Sequence, residues 1–514
     1  MPTAPEPPSA PEVLRFALAQ GPLRGLLLDP VAVDERIATT ALLPPAAARG
    51  GELHPLPAGT FRLLEDLPFG AGRPAERPAD GERLGHLLVA ALGLQRREPS
   101  NPANDHRAVA SVRSKFPVHA LVVGVDGRAG YLDPYRHALV AVDAPVPPRL
   151  RPPEGAVRVV LAARLTDLPT PYGILRRALG DLEVGINLRA VLTAAELFDC
   201  PATVQSTGPE PSAAERLLAD AGPGCWSVPV VVTLHGVAGP APFGTTAAGR
   251  PVAARLDALL AASAAHPSLT GSRSIAAPRR YAAGAAPVPA TALPKSADGP
   301  DGPDGPDDGQ ASWADVLWSR SAGRVPLPLT GFSVRPGTST AAEVESLTAW
   351  AGVPVPSGPL APVREAVTVH VVLQHTAGLP DGHYRAAPDG GLTLVRRAEG
   401  LAAELEAGFG YPLAPGNDSG VRHASSLWFC TVDLERLIER HGPAAWSLLQ
   451  VACGWLAHGL SLGAAAQNRF ARPARSFDEH LVARLLGLPD GEYPVLLTVC
   501  GRTRYAEPYL DLRV

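Results

Sequence analysis

The sequence has almost no lysine. Of its 46 basic residues only Lys115 and Lys295 are lysines, and the others are arginines. Neither lysine lies in the Gly-x-x-x-x-Gly-Lys-Ser/Thr motif that binds nucleotide phosphates. A Schiff-base mechanism also needs a lysine amine. The sequence therefore argues against both a lysine-containing phosphate loop and Schiff-base catalysis. No strand is followed by Gly-x-Gly-x-x-Gly, and the sequence therefore gives no sign of a dinucleotide-binding domain.

Paired cysteines, long apolar runs and a large net charge are absent as well. The five cysteines are widely spaced and never form Cys-x-x-Cys, which argues against a zinc ribbon or a disulfide framework. The N-terminus has no signal-peptide pattern, and no apolar run reaches the ~18 residues that span a bilayer. A net charge of -4 gives no general attraction to nucleic acid or anionic lipid. We therefore expect a cytoplasmic protein.

The length and one acidic segment predict two domains. A chain of 514 residues is about three times the usual domain size. Residues 292–312 are rich in Asp, Gly and Pro, with no apolar residue in the central part, which is typical of a flexible linker. The predicted divisions are an N-terminal extension (1–55), a first domain (56–290), a linker (291–311) and a second domain (312–514).

The two halves carry the same series of sequence patterns. The windows VPVVVTLHG (228–236) and YPVLLTVCG (493–501) share four identical positions. Each follows a short amphipathic helical pattern, and long apolar helices are predicted upstream at 174–198 and 445–467. A hairpin pattern with a Gly turn and a tyrosine precedes each long helix. The shared order predicts two α+β units packed as an intramolecular pseudo-dimer.

Several motifs in this order resemble a known superfamily. The second half contains WADVLWSRSAGRVPL, GLPDGHY and LLGLPDGEYPVLLTVCG, and the first half contains ASVRSKFPVHALVV, GYLDPYRHAL and YGILRRALGDLEVG. Together they are similar to the nitroreductase-like flavoproteins, in particular the tandem SagB-type dehydrogenases of thiopeptide-like pathways. The resemblance implies FMN between the halves, oxidation of azolines to azoles in a ribosomally made peptide, and a precursor peptide and a cyclodehydratase as partners.

The resemblance also implies a phosphate site in the second half. It places Arg320, Ser321 and Arg324 at the FMN phosphate, and it adds Arg502 and Arg504 after the last strand. Two guanidinium groups and a hydroxyl within one helical turn suit a phosphate monoester. The alternative is an exposed basic patch at the start of a domain. No comparable Arg-Ser motif remains in the first half, so we expect one FMN per chain and a degenerate first half.

The expected catalytic group is a tyrosine. A Lys-Tyr pair implicated in azoline oxidation falls at Pro171 and Tyr172, so only the tyrosine is present. Because tyrosine has an ordinary pKa of about 10, Tyr172 needs a nearby cation to act as a base. Arg176 and Arg177, one helical turn later, are the candidates for that cation. The alternative is that Tyr172 only packs at the start of the helix.

Three further residues, Ser111, Arg189 and His458, can be matched to positions of the family that the sequence resembles. Ser111 is all that remains of a Pro-Ser-x-Gly turn, and its role at the cofactor is implied by the resemblance alone. Arg189 and His458 stand where relatives carry a helical glutamine, and His458 is a candidate at the flavin edge. Lys115 lies close to Ser111, and we expect it to be a solvated surface residue.

Other functions remain open on the sequence. The pseudo-dimer could be a non-catalytic scaffold for a precursor peptide or a cyclodehydratase, or a general nitro or quinone reductase that uses NAD(P)H. Residues 459–463 match the Gly-x-Ser-x-Gly of hydrolases, but that motif needs a strand-to-helix turn. Here it lies inside a predicted helix, which argues against a hydrolase.

Overall fold

The structure is a computed structural model. It describes residues 48, 50–72, 74, 77–98, 101–169, 172, 175–206, 226–227, 229–237, 288–289, 292–294, 311–323, 332–356, 358–388, 390–407, 420–505 and 509–513. Arg324, the helix expected around residues 214–222 and most of the linker lie outside these residues.

An antiparallel sheet of eight strands forms the centre of the first half, in the order β1-β6-β5-β4-β7-β9-β8-β10. Its central strands consist mainly of buried valine, leucine and alanine. Such runs fit strands that are covered on both faces. The strands are β1 (Leu53–Pro55), β4 (Val118–Val123), β5 (Ala129–Asp133), β6 (Ala138–Ala141), β7 (Ala156–Ala163), β8 (Ala202–Ser206), β9 (Val230–His235) and β10 (Val288–Pro289).

A second antiparallel sheet forms the centre of the second half, in the order β11-β19-β17-β13-β15-β16, with β18 also paired to β19. The strands are β11 (Val334–Arg335), β13 (Thr368–Leu373), β15 (Gly382–Ala386), β16 (Leu392–Arg397), β17 (Ser426–Asp433), β18 (Phe470–Ala474) and β19 (Glu492–Thr503). A short parallel pair, β12 (Ser339–Thr340) and β14 (Thr376–Ala377), lies apart from this sheet.

The two sheets have the same topology. The spatial order β6-β5-β4-β7-β9-β8 of the first half corresponds, strand for strand, to β16-β15-β13-β17-β19-β18 of the second. In both halves a hairpin leads to a central strand, and a long helix follows before the last strands. The predicted tandem duplication of an α+β unit is therefore confirmed.

Two long helices form the contact between the halves. The helices are α1 (Arg83–Leu92), α2 (Leu175–Leu197), α3 (Trp313–Ser319), α4 (Ala341–Gly352), α5 (Leu360–Glu365), α6 (Leu401–Ala407), α7 (Leu434–His441), α8 (Ala445–Ala466) and α9 (Glu479–Leu486). Helices α2 and α8 cross at Gly185 and Gly454. A Cβ on Gly185 would lie 2.0 Å from the Val451 carbonyl oxygen, and one on Gly454 would lie 1.9 Å from that of Leu182. Only glycine permits this approach.

The long helices are buried on nearly all sides, as their apolar sequences predict. Among the described residues, α8 alone is long and apolar enough to cross a membrane, and it is fully enclosed by the rest of the protein. Its apolar surface is therefore explained by contacts inside the fold.

The C-terminal strand belongs to the first half. β20 (Leu510–Asp511) pairs with β2 (Leu94–Glu98), which also pairs with β3 (Asn101–Arg107). The guanidinium of Arg513 lies 4.2 Å from the centre of the Trp318 ring. The end of the chain thus connects the two halves a second time, beside α3.

Candidate cofactor and active site

Arg320 lies in the seam between the halves. Helix α3 begins with a capping box formed by Ser312 and Asp315, and Arg320 follows its last residue. The Arg320 side chain is only 2% exposed. Its Nη2 donates a hydrogen bond of 3.0 Å to the carbonyl oxygen of Arg107 in the first half. Arg320 therefore points across the seam, toward the segment that leads into Ser111.

Two arginines of the first half contact Arg320, Arg96 with its guanidinium and Arg107 with its backbone carbonyl oxygen. Arg96 Nη2 donates to the Arg320 carbonyl oxygen at 2.9 Å, and the Arg107 guanidinium lies 4.3 Å from the centre of the Phe116 ring. Buried Nε atoms of Arg96 and Arg107 have no hydrogen-bond partner within the described residues. Because buried donors without acceptors are costly, this cluster suits an anionic group. Sequence patterns do not single out these two arginines, because their proximity to Arg320 depends on the fold.

The other described residues that were predicted to bind the phosphate make contacts within the second half. Ser321 Oγ accepts a hydrogen bond from Gly323 N at 3.2 Å, so this hydroxyl is used within its own turn. Arg502 is exposed, and its side chain lies against Gly337. Arg504 Nη2 donates to the Val334 carbonyl oxygen at 3.3 Å. Their part in phosphate binding stays a prediction, as does that of Ser321.

The loop after β3 is strained and fixed to α2. Arg113, Ser114 and Phe116 have φ angles of 52°, 53° and 47°, which residues other than glycine rarely adopt. Ser111 Oγ donates to Glu183 Oε1 at 3.0 Å and accepts from Phe116 N at 2.7 Å. Strained backbone of this kind is concentrated at functional sites. We call residues 111–116 the strained loop.

Glu183 is the anchor of the strained loop. Its Oε1 also accepts a hydrogen bond of 2.7 Å from Val112 N, while its buried Oε2 has no partner among the described residues. Burial raises the pKa of Glu183 to about 8. The Ser111 hydroxyl is thus occupied by loop contacts, and its predicted role at the cofactor stays untested.

Arg113 supplies the cation next to Tyr172. Its Nε donates to the Tyr172 hydroxyl oxygen at 3.2 Å, so this guanidinium fixes the position of that hydroxyl group. The sequence had suggested Arg176 or Arg177. Arg177 instead binds Asp181 at 3.0 Å. Arg176 is buried, and its catalytic role stays a prediction.

Lys115 is not a surface residue, and the expectation that it is solvated is wrong. Its side chain is 9% exposed. Burial is the main cause that lowers the pKa of Lys115 to about 8, and the positive charge of Arg113 lowers it too, whereas Asp167 raises it. No local pattern in the sequence could reveal this burial, because it results from the shape of the strained loop.

His458 and Arg189 lie on the two central helices. Burial lowers the pKa of His458 well below its ordinary value, with smaller contributions from the positive charges of Arg189 and Arg320. Arg189 donates to the carbonyl oxygens of Trp350 at 2.7 Å and Trp455 at 3.0 Å. Arg189 therefore joins α2 of the first half to α4 and α8 of the second.

Comparison with known proteins identifies the fold. No family model and no curated protein matches the sequence. Among solved structures, a candidate nitroreductase from Anabaena variabilis aligns over 95% of this chain and 100% of its own, with a TM-score of 0.62 and 16% identity. The chain has a nitroreductase-like fold. At this identity the alignment shows the fold alone.

Two shorter alignments each cover a little over a third of this chain. A candidate nitroreductase from Ralstonia eutropha covers 37% of this chain and 83% of its own, with a TM-score of 0.28 and 21% identity. A microcin synthetase complex from E. coli with a truncated pro-microcin bound covers 35% and 72%, with a TM-score of 0.28 and 14% identity.

The residues at the seam of this nitroreductase-like fold fit the phosphate end of FMN. The Arg96 guanidinium lies against the Arg320 carbonyl oxygen, and its unpartnered Nε–H would donate to a phosphate monoester. The cavity behind Arg107 and Phe116 has a volume of about 10 Å³, which is room for about one water. A flavin ring cannot occupy that cavity, so the fit rests on the charge of the arginine cluster.

Proposed function

We propose that this protein is an FMN-dependent dehydrogenase that oxidises azoline rings to azoles in a ribosomally made peptide. The observation that carries the proposal is the composite site at the seam. Arg320 of the second half contacts the segment that leads into the strained loop of the first half, and Arg113 of this loop binds Tyr172. These two contacts support a site built from both halves, with a phosphate-binding end at Arg320 and a proton-accepting end at Tyr172.

The proposed chemistry assigns roles to residues of this chain. Bound FMN would accept a hydride from the azoline ring. The guanidinium groups of Arg320 and Arg96 would hold its phosphate. The phenolate of Tyr172 would remove the proton from the ring carbon next to the carbonyl group. Arg113 would fix the position of the Tyr172 hydroxyl.

The proposal also names partners and a location. An azoline arises when a cysteine, serine or threonine side chain cyclises onto the preceding amide, so a cyclodehydratase must act first. We propose the resulting precursor peptide and the cyclodehydratase as partners, in the cytoplasm.

The test begins with flavin content. The purified chain should absorb near ~450 nm and hold about one FMN. Arg320→Gln should weaken FMN binding at least tenfold and leave riboflavin binding nearly unchanged, because riboflavin lacks the phosphate. The matched control is Arg436→Gln, which removes an exposed arginine of α7 and should change neither affinity.

Three outcomes would overturn the proposal. A colourless chain that takes up no added FMN would favour the non-catalytic scaffold. Rapid reduction of the bound flavin by NAD(P)H, without oxidation of a thiazoline peptide, would favour a nitro or quinone reductase. Equal losses of FMN and riboflavin binding in Arg320→Gln would contradict the phosphate role of Arg320.

A further inference from the structure

Arg96 carries a buried charge that pairs with no carboxylate in the described part of the chain. It is only 1% exposed, and its Nη2 donates to the Arg320 carbonyl oxygen at 2.9 Å. Its Nε and Nη1 have no hydrogen-bond partner among the described residues. Burying a charged group in this way is costly. These N–H groups therefore suit an anion that the chain does not itself supply.

Two carboxylates close to Arg96 in the small sheet already have partners. Glu98, on the same strand, has its Oε1 2.7 Å from His106 Nε2. Asp511, which is opposite Arg96 in the pairing of β2 with β20, accepts from Arg513 Nη2 at 2.8 Å. The positive charge of Arg96 therefore remains available to an anion in the seam.

Two aromatic rings hold the Arg96 guanidinium in place. Its central carbon lies 5.3 Å from the centre of the Trp318 ring and 4.6 Å from the centre of the Tyr509 ring. A cation is attracted to the face of an aromatic ring, and the attraction is stronger where water is excluded. Burial lowers the pKa of Arg96, and Tyr509 is the largest influence in the opposite direction. Tyr509 therefore stabilises the charged guanidinium at this position.

The last strand of the chain brings Tyr509 to Arg96. Tyr509 immediately precedes β20, which pairs with β2, and Leu512 N donates to the Gln95 carbonyl oxygen at 2.8 Å. The Tyr509 ring also packs edge-on against the His106 ring, with the ring centres 5.4 Å apart. Tyr509 itself is 38% exposed. Its contact with Arg96 therefore depends on the pairing of the C-terminal strand and not on burial in a core.

We propose that Tyr509 is a positioning residue for FMN, whose ring holds the Arg96 guanidinium beside Arg320 so that Arg96 binds the FMN phosphate. This inference rests on the function proposed above and extends its phosphate site to the last strand of the chain. Tyr509 acts through Arg96 and needs no contact with the flavin. Because coupling between two sites is reciprocal, bound phosphate also favours the paired state of residues 509–513.

The first experiment compares the affinities of the full chain for FMN and for riboflavin, measured by quenching of flavin fluorescence. Tyr509→Leu should weaken FMN binding about tenfold, because a desolvated cation–π contact is lost, and should leave riboflavin binding nearly unchanged. Tyr509→Phe keeps the ring and should keep most of the FMN affinity. The matched control Leu510→Ala truncates an exposed neighbour in β20 and should change neither affinity.

The second experiment measures hydrogen exchange of the Leu512 amide, which reports whether the C-terminal strand is paired. FMN should slow this exchange in the parent chain and in Tyr509→Phe, whereas riboflavin, which lacks the phosphate, should not. In Tyr509→Leu the protection by FMN should be largely lost. Inorganic phosphate, with the ionic strength matched by chloride, should protect the parent chain in the same way at higher concentration.

The failures of the two proposals are distinguishable. A chain that binds no flavin overturns the proposed function, while protection of the Leu512 amide by inorganic phosphate still decides whether Tyr509 and Arg96 serve an anion. A flavin-loaded chain in which Tyr509→Leu keeps its FMN affinity overturns only the role of Tyr509. Equal losses of FMN and riboflavin binding in Tyr509→Leu, or a Tyr509→Phe variant that binds FMN as weakly, also contradict that role.

Discussion

Replacing Gly454 by alanine should destabilise the protein, although alanine is the better helix former. The new Cβ would lie 1.9 Å from the Leu182 carbonyl oxygen and 3.0 Å from Ile186 N. Both atoms belong to the backbone of α2, so no side chain can move aside. Overpacking costs up to ~3 kcal/mol, and alanine regains ~1 kcal/mol of helix propensity. We expect a net loss of about 2 kcal/mol, measured by urea unfolding.

Gly185→Ala should have the same effect, because its Cβ would lie 2.0 Å from the Val451 carbonyl oxygen. The double variant should lose less than the sum of the two single losses. Once the helices have moved apart to accept one methyl group, a second methyl group lowers the free energy of unfolding by less. The losses of the two neighbouring substitutions are therefore non-additive. This coupling is specific to a mutual approach of α2 and α8.

The matched control is Gly463→Ala, which lies on the same helix. Its Cβ would lie 3.2 Å from Leu347 Cδ2 and Trp350 Cδ1, which are side-chain atoms that can shift. This variant should be neutral or gain up to ~1 kcal/mol. If Gly454→Ala and Gly463→Ala have the same stability, or if the double variant is strictly additive, the close crossing of α2 and α8 is refuted.

Three further outcomes are expected. Arg189→Gln should cost at least ~3 kcal/mol in urea unfolding, because buried carbonyl groups of two helices lose their donor; a loss below ~1 kcal/mol would contradict this. Burial lowers the pKa of His383 to about 4, with a contribution from His370. Stability should therefore be complete above about pH 6.5 and decrease toward pH 4, and His383→Gln should flatten this dependence in thermal unfolding; an unchanged slope would be inconsistent with it. Tyr172→Phe should slow thiazoline oxidation at least tenfold in steady-state rates, because the proposed base is removed; an unchanged rate would contradict the role of Tyr172.

The sequence was sufficient to predict the tandem fold. Strand and helix patterns are local, and the matching order of hairpin, long helix and last strand was visible without coordinates of any kind. The prediction of helices at 174–198 and 445–467 agrees closely with α2 and α8. Their apolar residues extend round most of the helix surface, and this pattern requires burial on several sides.

The site could be predicted only in part, because its contacts join distant parts of the chain. Arg320 and Arg107 are 213 positions apart, and Arg113 and Tyr172 are 59 apart. The strained loop was also invisible, since arginine, serine and phenylalanine give no sign of positive φ. The burial of Lys115 follows from that loop. Sequence patterns therefore suggested Tyr172 and Arg320 but not the groups that surround them.

The pairing of β20 with β2 has a consequence for biosynthesis. Residues 510–511 supply a neighbour to a strand that is translated more than 400 positions earlier. The small sheet beside Arg320 can therefore be completed only after both halves have been synthesised, whereas the strands of the first large sheet all precede residue 290. Closure of the seam on this side is therefore a late step of chain synthesis.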